Sequence, residues 1–182
     1  MKPFHVAYQE ALPHGILVGI RLPSEGQSIP DSAAAKLLPD ERAVYEDRGE
    51  ARKAQFLGGR IAARGAAKTL GIEPGSILSD AWGAPTAPRG LSISISHKNR
   101  VAFALIGRSQ FGALGVDFEP LEPARMQVAE KVLRPEELQA VKSLPAENQW
   151  GSTLIRFTLK EAIYKALAPR LRRYIGFQEA SV

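Results

Sequence analysis

Residues 91–107, LSISISHKNRVAFALIG, decide the fold class. Leu91, Ile93 and Ile95 alternate with Ser92, Ser94 and Ser96, the period of two that marks a half-buried strand. Only KNR separates this run from the more apolar VAFALIG, so the two segments read as an antiparallel hairpin around a tight polar loop. The pattern sets His97 at the mouth of that loop, beside Lys98 and Arg100. A histidine so placed is either a structural hydrogen-bonder or, next to a serine and two cations, a phosphate ligand.

Toward the N-terminus, FHVAY and GILVGIRL read as two more short strands joined by a turn around Pro13 to Gly15. A helix-start signal falls at Asp40, with Pro39 before it and Glu41 in the first turn. Residues 50–71, EARKAQFLGGRIAARGAAKTLG, have helical spacing at Phe56, Leu57, Ile61, Ala62, Ala66 and Leu70, with Gly71 as the stop. Positions 52, 56, 60, 64 and 68 line one side of that helix, so Arg52, Arg60, Arg64 and Lys68 form a cationic ridge. It is either a solvated face or an anion site, and the counter-charges that usually lace such a face are missing from it.

Toward the C-terminus stands GVDFEP, residues 115–120. Read as a strand, it puts Asp117 and Glu119 on the face of Gly115, with Leu114, Val116 and Phe118 on the other. Two neighbouring carboxylates need a cation between or above them. LEPARMQVAEKVLRPEELQAV then reads as two short helices, the second opened by Pro135, Glu136 and Glu137. STLIRFTLKEAIYKALAPR reads as a helix ended by Pro169, with Ile155, Leu159, Ala162, Ile163 and Ala166 as its core face. Glu161 and Lys165 pair at i, i+4 on the opposite side, and Lys160 lies on one flank. The terminal YIGFQEASV reads as the start of a strand whose partner would lie past a break in the chain.

The chain has 182 residues, 45% of them hydrophobic and 24% charged, which suits a soluble globular protein with a real core. No apolar run is long enough to span a bilayer and no secretory signal opens the sequence, so the expected location is cytoplasmic, with no membrane partner. The absence of cysteine leaves oxygen and imidazole as metal ligands. The net charge of +5 is uneven: residues 1–50 carry five basic and eight acidic groups, residues 51–110 nine basic and two acidic. The middle of the chain is where an anion belongs, and without an aromatic-rich basic motif or zinc-finger spacing that anion is not nucleic acid.

Asp117, Glu119 and Glu161 together suit a hard divalent cation that shares phosphate oxygens with a ligand, and the surrounding cations suit the phosphates themselves. The residues also resemble a known family. GVDFE is similar to the glycine, aliphatic, Asp, any residue, Glu motif of the 4′-phosphopantetheinyl transferases of the Sfp type, and FTLKEAIYKAL to their Lys-Glu-small, two spacers, Lys motif. RKAQFLGGRIAAR resembles the arginine-bearing helix of the siderophore-synthetase subgroup, WGAPTAP the glycine-any-proline turn, and SISHKNRVAFAL the serine-histidine hairpin.

The resemblance implies an α+β fold: a monomeric pseudo-dimer of two similar halves with internal pseudo-twofold symmetry, each a small, mostly antiparallel sheet packed with a long helix. The halves would be residues 1–108 and 109–182, the second incomplete at its C-terminus. It implies Mg²⁺-dependent transfer of 4′-phosphopantetheine from coenzyme A to a serine of an acyl or peptidyl carrier protein, as polyketide and nonribosomal peptide biosynthesis requires. Adenosine 3′,5′-bisphosphate leaves. By resemblance, Asp117, Glu119 and Glu161 are metal ligands, for Mg²⁺ or Mn²⁺. Glu161 is the base, Lys165 holds the transferring pyrophosphate, and Lys160 binds phosphate. Arg52, Arg60, Ser96 and His97 hold coenzyme A. Ala84 stands where the turn often has a lysine, so a phosphate contact is expected from Arg89 or Lys98 instead. Two other readings of the same residues are a magnesium-dependent phosphohydrolase and a non-catalytic basic anion-binding module.

Overall fold

The computed structural model describes residues 3–24, 26–86 and 88–182. Its centre is one antiparallel sheet in which β1 (Val6–Leu12), β2 (Gly15–Arg21), β3 (Leu91–Lys98) and β4 (Val101–Arg108) lie in the order β1-β2-β4-β3. The 91–107 hairpin forms as its pattern predicts, pairing Leu91 with Arg108 through Lys98 with Val101. Asn99 turns the chain at φ 50°, a left-handed conformation that Asn tolerates.

Among the described residues three helices precede the hairpin: α1 (Asp31–Ala34), α2 (Pro39–Glu46) and α3 (Glu50–Thr69). At the start of α2 it is Glu41, not Asp40, that caps, its Oε2 accepting from the Leu38 N–H at 3.0 Å. α3 ends as read, with Gly71 at φ 70°. It lies against the sheet face carrying Val18, Ile20, Ala102, Ala104 and Ile106, and Leu57, Ala62, Ala63, Ala66 and Ala67 fill the space between. The small residues of the helix let it come close: a Cβ added to Gly59 would stand 2.9 Å from Ile95 Cγ2. Burying each large aliphatic side chain here contributes roughly 1.5–3 kcal/mol.

At β3 the other face of the sheet is covered too, which the serine alternation did not reveal; at β1 it is open. Ser94 and Ser96 are buried. Residues 112–119 run along the edge strand β3 without backbone ladder bonds: Leu114 N–H donates to Ser92 Oγ at 3.1 Å and Val116 N–H to Ser94 Oγ at 3.0 Å. GVDFE is therefore extended, but it is not the strand its alternation predicted. Serine side chains have taken the role of backbone carbonyls, so the pairing is read through hydroxyls.

The second half is helical. α4 (Ala129–Val132) and α5 (Pro135–Lys142) precede the long α6 (Ala146–Leu171), and the described residues of 109–182 include no strand. Thus the α+β class holds, but among the described residues all of the sheet lies in the first half, and the small sheet expected in the second is not formed. α6 starts six residues before the predicted segment and runs through Pro169. In the last turn the proline's missing N–H removes only one helical bond, and Arg172 N–H still closes on Ala168 O at 2.8 Å.

The predicted core face of α6 is corrected. Ile155 is 61% and Leu159 47% exposed, whereas Thr153, Leu154, Lys160 and Ala168 are buried. Two polar side chains on the buried side misled a pattern based on apolar spacing. The terminal segment also departs from the predicted strand: Phe177–Glu179 form a 3-10 turn that folds back on a second core built on Ala129, Val132, Leu133 and Val141, with the ring of Phe177 5.6 Å from that of Phe157 and Gln178 Nε2 donating to Leu133 O at 3.1 Å.

Candidate active site

α3, the hairpin and the 76–86 connector enclose a cleft of about 360 Å³, lined by Arg48, Arg52, Phe56, Arg60, Ser79 and His97 among others. No acidic side chain lines it among the described residues. Three predicted coenzyme A ligands, Arg52, Arg60 and His97, therefore meet at one opening.

Arg60 is 6% exposed. Its Nε donates to Ile77 O at 2.9 Å, its guanidinium lies 3.7 Å from the centroid of Phe56, and its Nη2 is buried without a partner. Burial first, then the charges of Arg48 and Arg64, lowers its pKa to about 10 against the pull of Glu41, so it remains a cation at neutral pH. His97 is pushed below the ordinary histidine range by burial and then by Arg52, Lys165 and Arg60, so it is largely neutral at pH 7.

The cationic ridge read from α3 is not continuous. Arg64 pairs with buried Glu41, whose other oxygen accepts from the Ile77 N–H at 2.8 Å. The missing counter-charge comes from α2, 23 residues earlier, which i, i+4 reasoning along α3 does not detect.

The carboxylate group adjoins the cleft. Ser96, next to His97, donates from Oγ to Asp117 Oδ1 at 3.0 Å, and Lys165 Nζ donates to the same oxygen at 2.6 Å. Asp117 Oδ2 is buried without a hydrogen-bond partner. Glu119 pairs with Lys98 at 2.7 Å. On α6, Glu161 has its pKa raised by burial, then by the Asp117 charge and, more weakly, by Glu119, while Lys165 opposes. The expected i, i+4 pair of Glu161 with Lys165 is thus replaced by Lys165 on Asp117.

Gly115 makes this meeting possible. A Cβ there would stand 2.7 Å from the Ala162 carbonyl carbon, closer still to its oxygen, and 3.2 Å from Ala166 Cβ. The α6 backbone rests directly on the glycine, one residue past Glu161 and two residues before Asp117.

A hard divalent cation fits these donors in kind: they are anionic oxygens, and Asp117 keeps one buried oxygen uncommitted. They are not closed around a common point, however. Among the described residues no three His, Cys, Asp or Glu side chains are gathered to hold an ion, and Lys165 and Lys98 sit on Asp117 and Glu119 instead. The convergence expected from the motifs is met in neighbourhood and not in ligand geometry.

Three residues expected to contact phosphate lie outside the lining of the arginine cleft. Lys160 is 2% exposed, and its Nζ donates to Val132 O at 3.0 Å, Glu137 Oε2 at 2.6 Å and Phe177 O at 2.9 Å. All three donors are used inside the second core, so Lys160 is a strut tying α6 to α5 and the terminal segment. Neither Arg89 nor Lys98 lines the arginine cleft. Arg48, which the sequence reading passed over, does; it stands in the link between α2 and α3, outside the helical spacing that marks Arg52 and Arg60.

Known proteins similar to the chain point to one family. Residues 40–107 match the 4′-phosphopantetheinyl transferase N-terminal domain, and residues 113–182 match the 4′-phosphopantetheinyl transferase superfamily. The chain is 33% identical over 156 residues to the 4′-phosphopantetheinyl transferase Npt of Nocardia iowensis, covering 81% of this chain and 66% of that protein. It is 31% identical over 147 residues to PptT of Mycobacterium tuberculosis, covering 80% and 64%. It is 30% identical over 165 residues to Svp of Streptomyces mobaraensis, covering 84% and 63%. The chain belongs to the 4′-phosphopantetheinyl transferase superfamily. It spans a little under two thirds of the length of these relatives.

Proposed function

We propose that the chain moves the 4′-phosphopantetheine arm of coenzyme A onto a serine hydroxyl of an acyl or peptidyl carrier protein and releases adenosine 3′,5′-bisphosphate. The observation that carries this reading is the junction at Ser96 and His97: one residue lines an acid-free arginine cleft, and its neighbour is bonded to the carboxylate that Lys165 also holds. A ligand whose phosphates occupy the cleft has its next phosphate beside Asp117, Glu161 and Lys165. Family membership and the relatives' names support the same reaction.

In the reaction the serine oxygen forms a bond to the β-phosphorus, the bond from that phosphorus to the bridging oxygen breaks, and the bisphosphate departs with the electron pair. Glu161 accepts the serine proton, a task its raised pKa suits because a stronger base takes the proton more readily. Lys165, already held at Asp117, presents its ammonium to the charge that grows on the leaving phosphate. Asp117, Glu119 and Glu161 would hold Mg²⁺ or Mn²⁺, whose contribution is to neutralise and polarise the pyrophosphate. Lys98 and Lys165 must then exchange their carboxylate partners for phosphate oxygens.

We place the reaction in the cytoplasm with the protein a monomer; no helix among the described residues is long and apolar enough to cross a membrane. The test is intact-mass analysis of apo carrier proteins mixed with the protein, coenzyme A and Mg²⁺. A phosphopantetheine adduct on the carrier serine is expected. No adduct on any carrier, with coenzyme A hydrolysed instead, would favour the phosphohydrolase.

A further inference from the structure

We propose that Arg48 is a further ligand-binding residue: with Arg60 it clamps a phosphomonoester dianion in the arginine cleft and makes that cleft select the 3′-phosphorylated form of coenzyme A. The inference rests on the functional reading above and assigns one subsite within it.

Two buried donors face the same unsatisfied need. Arg48 Nε and Arg60 Nη2 are both buried and both lack a hydrogen-bond partner. Both guanidinium groups lie over one ring, Arg48 at 4.7 Å and Arg60 at 3.7 Å from the Phe56 centroid. Both residues line the cleft. Arg60 is nine-tenths buried and cannot swing away to solvent, because its Nε is fixed on Ile77 O. Glu41, the carboxylate whose charge acts on Arg60, is already committed to Arg64 and to the Ile77 N–H.

Folding therefore brings two cations onto one aromatic ring and leaves an N–H of each without an acceptor. Such an arrangement is costly unless a ligand supplies both the counter-charge and the acceptors. A phosphomonoester dianion supplies both, with two negative charges and several oxygens for a forked guanidinium to grip. A phosphodiester or pyrophosphate segment carries less charge per phosphorus, so the terminal monoester is the better match. In coenzyme A that monoester is the 3′-phosphate. Arg48 thus supplies from the link between α2 and α3 the contact that Ala84 cannot supply from the 83–86 turn.

The test is calorimetric titration of the full chain with coenzyme A and with 3′-dephospho-coenzyme A at fixed ionic strength, using wild type, Arg48→Met, Arg48→Lys and the control Arg42→Met. Arg42 bonds to Ala34 O and does not line the cleft. Arg48→Met is expected to weaken coenzyme A on the order of tenfold or more while leaving the dephospho form almost unchanged, since the loss of a charge-assisted hydrogen bond is felt only where the anion is present. Arg48→Lys should recover part of the loss, and Arg42→Met should match wild type for both ligands. Equal losses for the two ligands, or none, overturn the role of Arg48 while leaving the functional reading intact. Failure of wild type to bind coenzyme A overturns both. If Arg48→Met does not fold, Arg48→Lys decides: unaltered preference for the 3′-phosphate refutes the clamp.

Discussion

Replacing Gly115 by alanine should separate the two halves of the site. The glycine is not among those with positive φ, so alanine meets no backbone strain there and only the added methyl group matters. That methyl would stand 2.7 Å from the Ala162 carbonyl carbon and nearer its oxygen, against ordinary carbon contacts of about 3.5–4.0 Å. The obstacle is helix backbone, which cannot rotate aside as a side chain can. α6 must retreat by roughly 1 Å, or the 112–119 segment must leave its serine partners. Overpacking of this kind costs about 1–3 kcal/mol. For a chain of this size that lowers the melting temperature by roughly 2–12 °C. Turnover should fall further than stability, on the order of a hundredfold, because Glu161 moves relative to Asp117 by an amount that matters for reacting groups.

Gly151 provides the control within the same helix. A Cβ there meets nothing within 4 Å, so Gly151→Ala should stabilise by about 0.5–1 kcal/mol through helix propensity alone. Thermal unfolding and carrier-modification rates of both variants are the assay. Wild-type melting and turnover in Gly115→Ala would refute the close approach of α6 as the cause of the site.

Lys160→Met should leave Glu137 as an uncompensated buried charge and cost about 3–5 kcal/mol in denaturant unfolding, with Glu137→Leu added to it restoring much of the loss; a selective loss of coenzyme A affinity without loss of stability would return Lys160 to the ligand. Glu161→Gln should reduce turnover by about 10²–10⁴. The same variant should melt higher at pH 7: a carboxylate whose folded pKa is raised favours the fold while protonated, below its unfolded pKa, and that benefit is lost as pH rises through the folded value. The difference from wild type should therefore vanish in acid, and a difference independent of pH would point to packing. His97, held neutral by burial and three cations, should gain a proton when an anion binds, so coenzyme A affinity should rise as pH falls from 8 to 6 by more in wild type than in His97→Gln; parallel profiles would leave His97 as a wall of the cleft.

Local pattern alone determined a good deal of this protein. The period of two in 91–107, the i, i+4 run of α3, the stop at Gly71 and the order of the acidic and basic motifs all encode short-range preferences that the fold does not override. These put Arg52 and Arg60 on one side of α3 and His97 at the end of β3; that they share a cleft, and that Asp117 stands near Glu161, is the work of the fold. What tertiary structure decided are the partnerships between distant segments. Glu41 reaching Arg64, serine hydroxyls pairing residues 114 and 116 to β3, Lys160 spending its donors inside the second core and Arg48 joining Arg60 on Phe56 leave no periodic trace. The face that α6 buries belongs with them, because a buried lysine or threonine is tolerated only when partners from elsewhere satisfy it, and spacing along one helix carries no information about those partners.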